Sequence, residues 1–220
     1  MEFTHKGKTL TAVHPFFGPS NSKTLQNVIK QEMYSEPTFP ELISFVHNYY
    51  GKQGAGAAEI NEIMSTKYFV GFTGVLFLPR RKEICFIERP VFNRLSVVDV
   101  ETLETRSALN MVRDRVSLDN PETGSVPWDK IAGNPIFIAV GGGEEGAEKL
   151  AELASKHPDK KAHIFVPEIK NFSSPQARIP LLYSYDKGRS LTISLNGSGC
   201  SVNSYSVGLA RTPQASPQRA

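Results

Sequence analysis

The chain has 220 residues, with 25 Lys and Arg against 22 Asp and Glu and a net charge of +3. Its charge is spread evenly, 11 basic against 9 acidic residues up to residue 100 and 14 against 13 beyond it, so neither half has the concentrated basic field of a non-specific nucleic-acid binder. Mean hydropathy is −0.27, and no window approaches the roughly 18 apolar residues of a membrane span, so a membrane partner is not expected.

The first twenty residues mix Gly, Pro and aromatics and read as an irregular arm with one short strand. They show no signal-peptide pattern. Cys85 and Cys200 lie far apart without a C-x-x-C spacing, which predicts reduced thiols and a cytoplasmic protein. Next, "SKTLQNVIKQEMYSE" places Leu25, Val28, Ile29 and Met33 at helical spacing, with Ser22 as the expected N-cap. Pro37 and Pro40 end that helix. "PELISFVHNYYGK" then starts a second, with Leu42, Phe45, Val46 and Tyr49 on one face and Gly51 as its stop. "AAEINEIMST" is a third.

From Lys67 the character changes. "KYFVGFTGVLFLP" and "EICFIERP", joined by "RRK", have the aromatic and β-branched density of a hairpin. Residues 96–118 predict a strand and then a helix from about Glu101 to Val112, and "DNPETGSVPWDKIAGNP" a long loop. A strand over 136–140, a helix over 144–156 and a strand over 162–166 form a βαβ unit. "IPLLYSYD" and "LTISLN" form a second hairpin, and "SVNSYSVGLA" a further strand. The fold class is therefore α+β: N-terminal helices, then a mixed sheet with two hairpins and one βαβ unit. The expected organisation is a single domain over 1–211, helix-rich over 21–66 and sheet-rich over 67–211, with a disordered tail at 212–220.

Within the βαβ unit, "IFIAVGGGEEGAEKLAEL" carries the spacing G-x-G-x-x-G at Gly141, Gly143 and Gly146. Glu168 follows 22 residues later, near the end of the second strand. Those four residues match the turn, pyrophosphate approach, helix packing and ribose contact of a dinucleotide site. Three features oppose that reading. Glu144 and Glu145 occupy the helix start, where a free N–H cluster would hold phosphate. Pro167 separates the strand from Glu168. Only 52 residues follow Glu168, too few for a complete Rossmann domain. The competing reading is a glycine-rich connection with acids complementing the helix dipole.

The remaining chemistry is sparse. His5, His14, His47, His157 and His163 form no H-E-x-x-H or Cys/His ligand pattern, so no metal is expected. His47 is expected at the surface or its boundary. His157 closes the helix of the βαβ unit, where an imidazolium would suit the C-terminal dipole. Cys200 in "GSGCSV" lacks a sequence-local base, and Ser198 does not fit G-x-S-x-G. Arg80, Arg81 and Lys82 at the first hairpin tip form the best nucleic-acid feature, with Phe69, Phe72 and Phe77 as stacking surfaces. Charged tips are also ordinary solubility devices.

"FVGFTGVLFLP" and "GNPIFIAVGGGEEGAEKLAELASKH" together resemble uncharacterised archaeal-type hypothetical proteins that share a GFTGVL hairpin and a GEEGAEKLAE helix. The resemblance covers about 35 residues. It implies that "EEGAEKLAE" forms one unit with the glycines, and it carries no known activity to transfer. No catalytic set stands out and no cofactor is called for, so the sequence favours a non-enzymatic binding or assembly domain, with a protein partner or a homo-oligomer. Two alternatives stay open: a nucleotide or small-molecule binder using the Gly141–Gly146 turn, and a nucleic-acid binder using Arg80–Lys82.

Overall fold

Three helices form in the first third of the chain, each set by a local signal. The computed structural model describes residues 1–95, 97–119, 123–168, 171–186 and 188–210. β1 (Glu2–His5) and β2 (Lys8–Thr11) pair as a small hairpin, followed by β3 (Phe17–Ser20). The cap of α1 (Ser22–Gln31) is Asn21 rather than Ser22: the Asn21 carboxamide accepts the Thr24 N–H at 2.9 Å, and Ser22 is buried inside the first turn. α2 (Phe39–Tyr49) opens with a reciprocal capping box between Thr38 and Glu41. α3 (Ala55–Thr66) follows.

β4 (Tyr68–Val70) and β5 (Thr73–Leu78) lead through a 3-10 turn, Pro79–Arg81, into β6 (Glu83–Glu88), which pairs antiparallel with β5 as expected. α4 spans Val100–Ala108, shorter than the expected 101–112 and capped by Asp99. β7 (Asp114–Ser117) extends the β5–β6 pair. Where a long loop was expected, β8 (Gly124–Pro127) and the single turn α5 (Trp128–Ile131) form instead. α6 (Pro135–Gly141), α7 (Glu144–Ser155), β9 (Lys161–Phe165), β10 (Gln176–Tyr185), β11 (Ser190–Gly197) and β12 (Ser204–Ser206) complete the described chain. The expected tail at 212–220 lies outside the described residues.

The architecture is α+β with a mixed sheet, but one element departs from expectation. Residues 136–140 are helix α6, not a strand, so the βαβ unit does not form. The physical reason lies just upstream. Asn134 caps the helix, accepting the N–H groups of Ile136 at 2.9 Å and Phe137 at 3.4 Å, and Pro135 takes the first-turn position where a missing N–H costs nothing. A five-residue apolar run fits a buried strand and a buried helix equally well, and here the cap decides.

The main sheet runs β3-β12-β4-β10-β11-β9-β8. β11 with β9 and β12 with β4 are parallel; the other neighbours are antiparallel. β10 is the hub. Its first residues pair with β5, Leu181 and Leu182 pair with β4, and β11 runs beside it from Ile179 to Tyr185 with a register shift between Ile179 and Leu181. Pro180 sits at that shift, where its lack of an N–H breaks no ladder bond. One face of this sheet packs under α2, α3 and α6–α7 around Phe45, Phe69, Phe137, Leu150, Leu182 and Ile193. A second core, with Leu25 and Ile29 of α1 and Leu103 of α4, covers Val70, Phe72, Leu76 and Ile179.

Candidate functional site

Strand alternation sorts the central strands into two faces. In β10, Leu182 and Ser184 are buried, while Leu181, Tyr183 and Tyr185 are half-buried or exposed. β9 buries Ala162 and Ile164 and turns His163 and Phe165 outward. β11 buries Leu191, Ile193 and Leu195 in the main core, leaving Thr192, Ser194 and Asn196 on the outer face. Register then aligns these outer residues in rows. Tyr183 stands opposite Thr192, Thr192 beside His163, and His163 opposite Ser125. In the next row Leu181 faces Ser194, and Ser194 lies beside Phe165.

The rings in these rows touch. Tyr68 and Tyr183 meet edge-to-face with centroids 5.0 Å apart. His163 lies 6.0 Å from Tyr185 and 6.5 Å from Phe165. Offset and edge-on geometries of this kind are favourable by about 0.5–1.5 kcal/mol each. The ladder holds rigid rings in place while leaving them accessible: Tyr185 is 53% and Phe165 50% exposed. Between the rings sits Thr192, fully buried, whose hydroxyl has no hydrogen-bond partner among the described residues.

Lys161 shares the outward side of β9 with His163 and Phe165 and places one positive charge at the edge of this face. Burial holds the His163 imidazole below the ordinary histidine value, with Lys161 acting in the same direction. Burial and the neighbouring Tyr68 and Tyr185 raise the Tyr183 phenol. The face offers aromatic area with phenol, imidazole and serine hydrogen-bonding groups. Among the described residues, no group of three or more His, Cys, Asp or Glu side chains is arranged to hold a metal ion. No helix among them is long and apolar enough to cross a membrane.

No family model matches this chain, and no curated protein matches it in sequence. A solved structure, described as the accommodation of massive sequence variation in Nanoarchaeota by the C-type lectin fold, aligns with 91% of this chain and 98% of its own, at a TM-score of 0.62 and 14% identity. The chain adopts a C-type lectin fold. At that identity the likeness extends to the fold alone.

Within this C-type lectin fold the glycine motif is a helix–helix corner. Gly142 ends α6 in the left-handed conformation, φ +74°, and Gly143 opens α7. Gly141 and Gly146 lie in contact: a Cβ on Gly146 would fall 2.0 Å from the Gly141 carbonyl oxygen. The strand that a dinucleotide turn needs before its glycines is the helix α6. Glu145 pairs with Lys149 at 2.5 Å, and Lys149 also donates to the Ser44 hydroxyl at 3.0 Å. Glu168 lies beyond the end of β9, where its carboxylate accepts from Asn171 at 3.1 Å.

The basic tip divides. Lys82, at φ +50°, pairs with Asp119 at 3.0 Å. Arg80 and Arg81 instead line a cavity of about 480 Å³ against α4 and residues 173–175. Phe69, Phe72 and Phe77, expected as stacking surfaces, are fully buried, because alternation aims them into the two cores. His47 holds its boundary position and meets Glu152 at 2.6 Å. His157 differs from expectation: it is buried and stacked on Tyr50 at 5.0 Å, and burial lowers its pKa, so it is no surface imidazolium.

Sequence reasoning missed the ladder of Tyr68, Tyr183, Tyr185, His163 and Phe165. A signal was present in "LLYSYD" and "KAHIF", where aromatic residues alternate with small or aliphatic ones. An alternating pattern with aromatics on the side opposite the core marks an outward aromatic face.

Proposed function

We propose that this chain is a non-enzymatic binding domain whose working surface is the aromatic face of β4, β10, β11 and β9, and that its partner is a protein or peptide segment. The observation that carries this reading is the outward ring set of exposed Tyr185 and Phe165 with half-buried Tyr183 and His163, fixed on strands and interleaved with Thr192 and Ser194. Tyrosine offers a large amphipathic contact area with only two side-chain torsions to immobilise, and serine, glycine and asparagine offer adaptable polar contacts. The segment containing much of this face has that composition: seven serines, four glycines, three tyrosines and two asparagines among the 26 residues from Tyr183 to Gly208.

The fold supports the same reading. The solved structure that shares it is described as accommodating massive sequence variation, which is the property of a scaffold whose core and surface are decoupled. Here the core of β10 rests on Leu182 and that of β11 on Leu191, Ile193 and Leu195. The outer residues of the same strands are not needed for that core.

A footprint tests the location. Peptides enriched from a displayed random library on the full chain are expected to slow amide exchange in β9, β10 and β11 and to leave the Arg80–Lys82 turn and the α6–α7 corner unchanged. Protection centred on either of those two regions instead would place binding elsewhere and sink the proposal.

A further inference from the structure

The Arg80–Arg81 cavity lies apart from the aromatic ladder and has its own chemistry. Its wall on one side is the 3-10 turn, with Arg80 and Arg81. Glu104, Ser107 and Ala108 of α4 and the hydroxyl-bearing Ser173 and Ser174 complete its polar lining, and all but Ser107 are exposed. Leu78, Pro79 and Pro175 add apolar surface. Ser107 is 7% exposed, so a buried hydroxyl-bearing residue lines the cavity.

The charges in this cavity are unspent. Among the described residues, Arg80, Arg81 and Glu104 enter no ion pair and no side-chain hydrogen bond. By contrast Lys82 on the same turn pairs with Asp119, and Arg115 on the neighbouring strand reaches Glu83 at 3.5 Å. Guanidinium groups meet carboxylate and phosphate through paired N–H donors, so two arginines without an ion-pair partner among the described residues suit an anion in this concavity. Glu104 in the same lining suits a donor group on the same molecule.

We propose that this cavity binds a small organic molecule carrying a carboxylate or phosphate, held by Arg80 and Arg81, with an ammonium or hydroxyl group facing Glu104. A volume of about 480 Å³ lies within the usual range of small-molecule sites. A nucleic-acid strand fits less well, because the basic tip is not one surface: Arg80 and Arg81, both exposed, line an open concave pocket, while Lys82 pairs with Asp119.

Calorimetric titration of the full chain with inorganic phosphate, L-glutamate and O-phospho-L-serine tests the proposal. Glutamate or phosphoserine is expected to bind with a Kd below about 1 mM in about 150 mM salt. Arg80→Ala and Arg81→Ala should each weaken that binding about tenfold or more, through loss of a charge-assisted contact. Ala108→Trp, which keeps every charge but fills the cavity, should abolish it. Lys82→Ala should change it less than about twofold, as expected for a screened charge outside the wall.

The proposal is overturned if the wild type binds none of the three probes at about 10 mM. Ala108→Trp binding as tightly as wild type would also overturn it, since attraction would then come from the general field. A single-stranded oligonucleotide retained by wild type and by Ala108→Trp, but lost on Lys82→Ala, would replace it with a nucleic-acid edge.

Discussion

His157 shows how much a single buried ring settles. Its Nδ1 lies 2.8 Å from the Leu153 carbonyl oxygen, which only accepts, so Nδ1 carries the proton and Nε2 accepts from the Ser184 hydroxyl at 2.8 Å. The Tyr50 hydroxyl lies 3.2 Å from the same nitrogen. Protonating Nε2 would put a charge in a buried site and turn the nitrogen from acceptor to donor, so the hydroxyls would have to rotate to accept; the desolvation lowers the pKa. Because the folded pKa lies below the unfolded value near 6.5, the unfolded chain binds the extra proton first as the pH falls. Stability should therefore be full above that value and decline below it. A falling denaturation midpoint between about pH 7 and pH 5 is expected, with a flatter slope in His157→Gln. His5, His47 and His163 are shifted the same way by burial and supply the remaining slope. An unchanged slope in the variant would contradict this assignment.

At the scale of elements, the α6–α7 corner separates what sequence pattern reveals from what it does not. The helix over 144–155 was legible from its spacing, as were α1, α2, α3 and both hairpins, because each has a long periodic stretch or a turn signal. α6 was not. Ile136, Phe137, Ala139 and Val140 are buried and Ile138 is half-buried and also apolar, so no polar face marks a helical period, and seven residues are too few to show one. The glycines then took on a cofactor look that their packing explains in another way. Gly141 and Gly146 let the two helices meet backbone to backbone. Gly146→Ala should lower stability by about 2–3 kcal/mol, the upper range for overpacking, because a carbonyl and not a mobile side chain stands in its path. A denaturant midpoint within error of wild type would show that the corner relaxes freely. The aromatic face was hidden for a different reason. Alternation tells that Tyr183 and Tyr185 share a side, but only register brings Tyr68 and His163 from distant segments beside them.

For the whole molecule, the two cores share one sheet system, with β10 passing from one pairing set to the other at Pro180. That arrangement lets one end of a sheet face be covered by α1 and α4 while the end carrying Tyr185 and Phe165 stays open. On the proposed reading this open end binds the partner, and the fold does not depend on it. The direct measurement is the affinity of a library-selected peptide for wild type and for the triple variant Tyr183→Ser, Tyr185→Ser, Phe165→Ser, alongside the denaturation midpoint of each. Loss of aromatic anchors should weaken binding by at least about tenfold, with a cooperative fold retained at a cost of about 1–2 kcal/mol. Equal affinity for both chains, in a variant that remains folded, would show that the aromatic face does not bind.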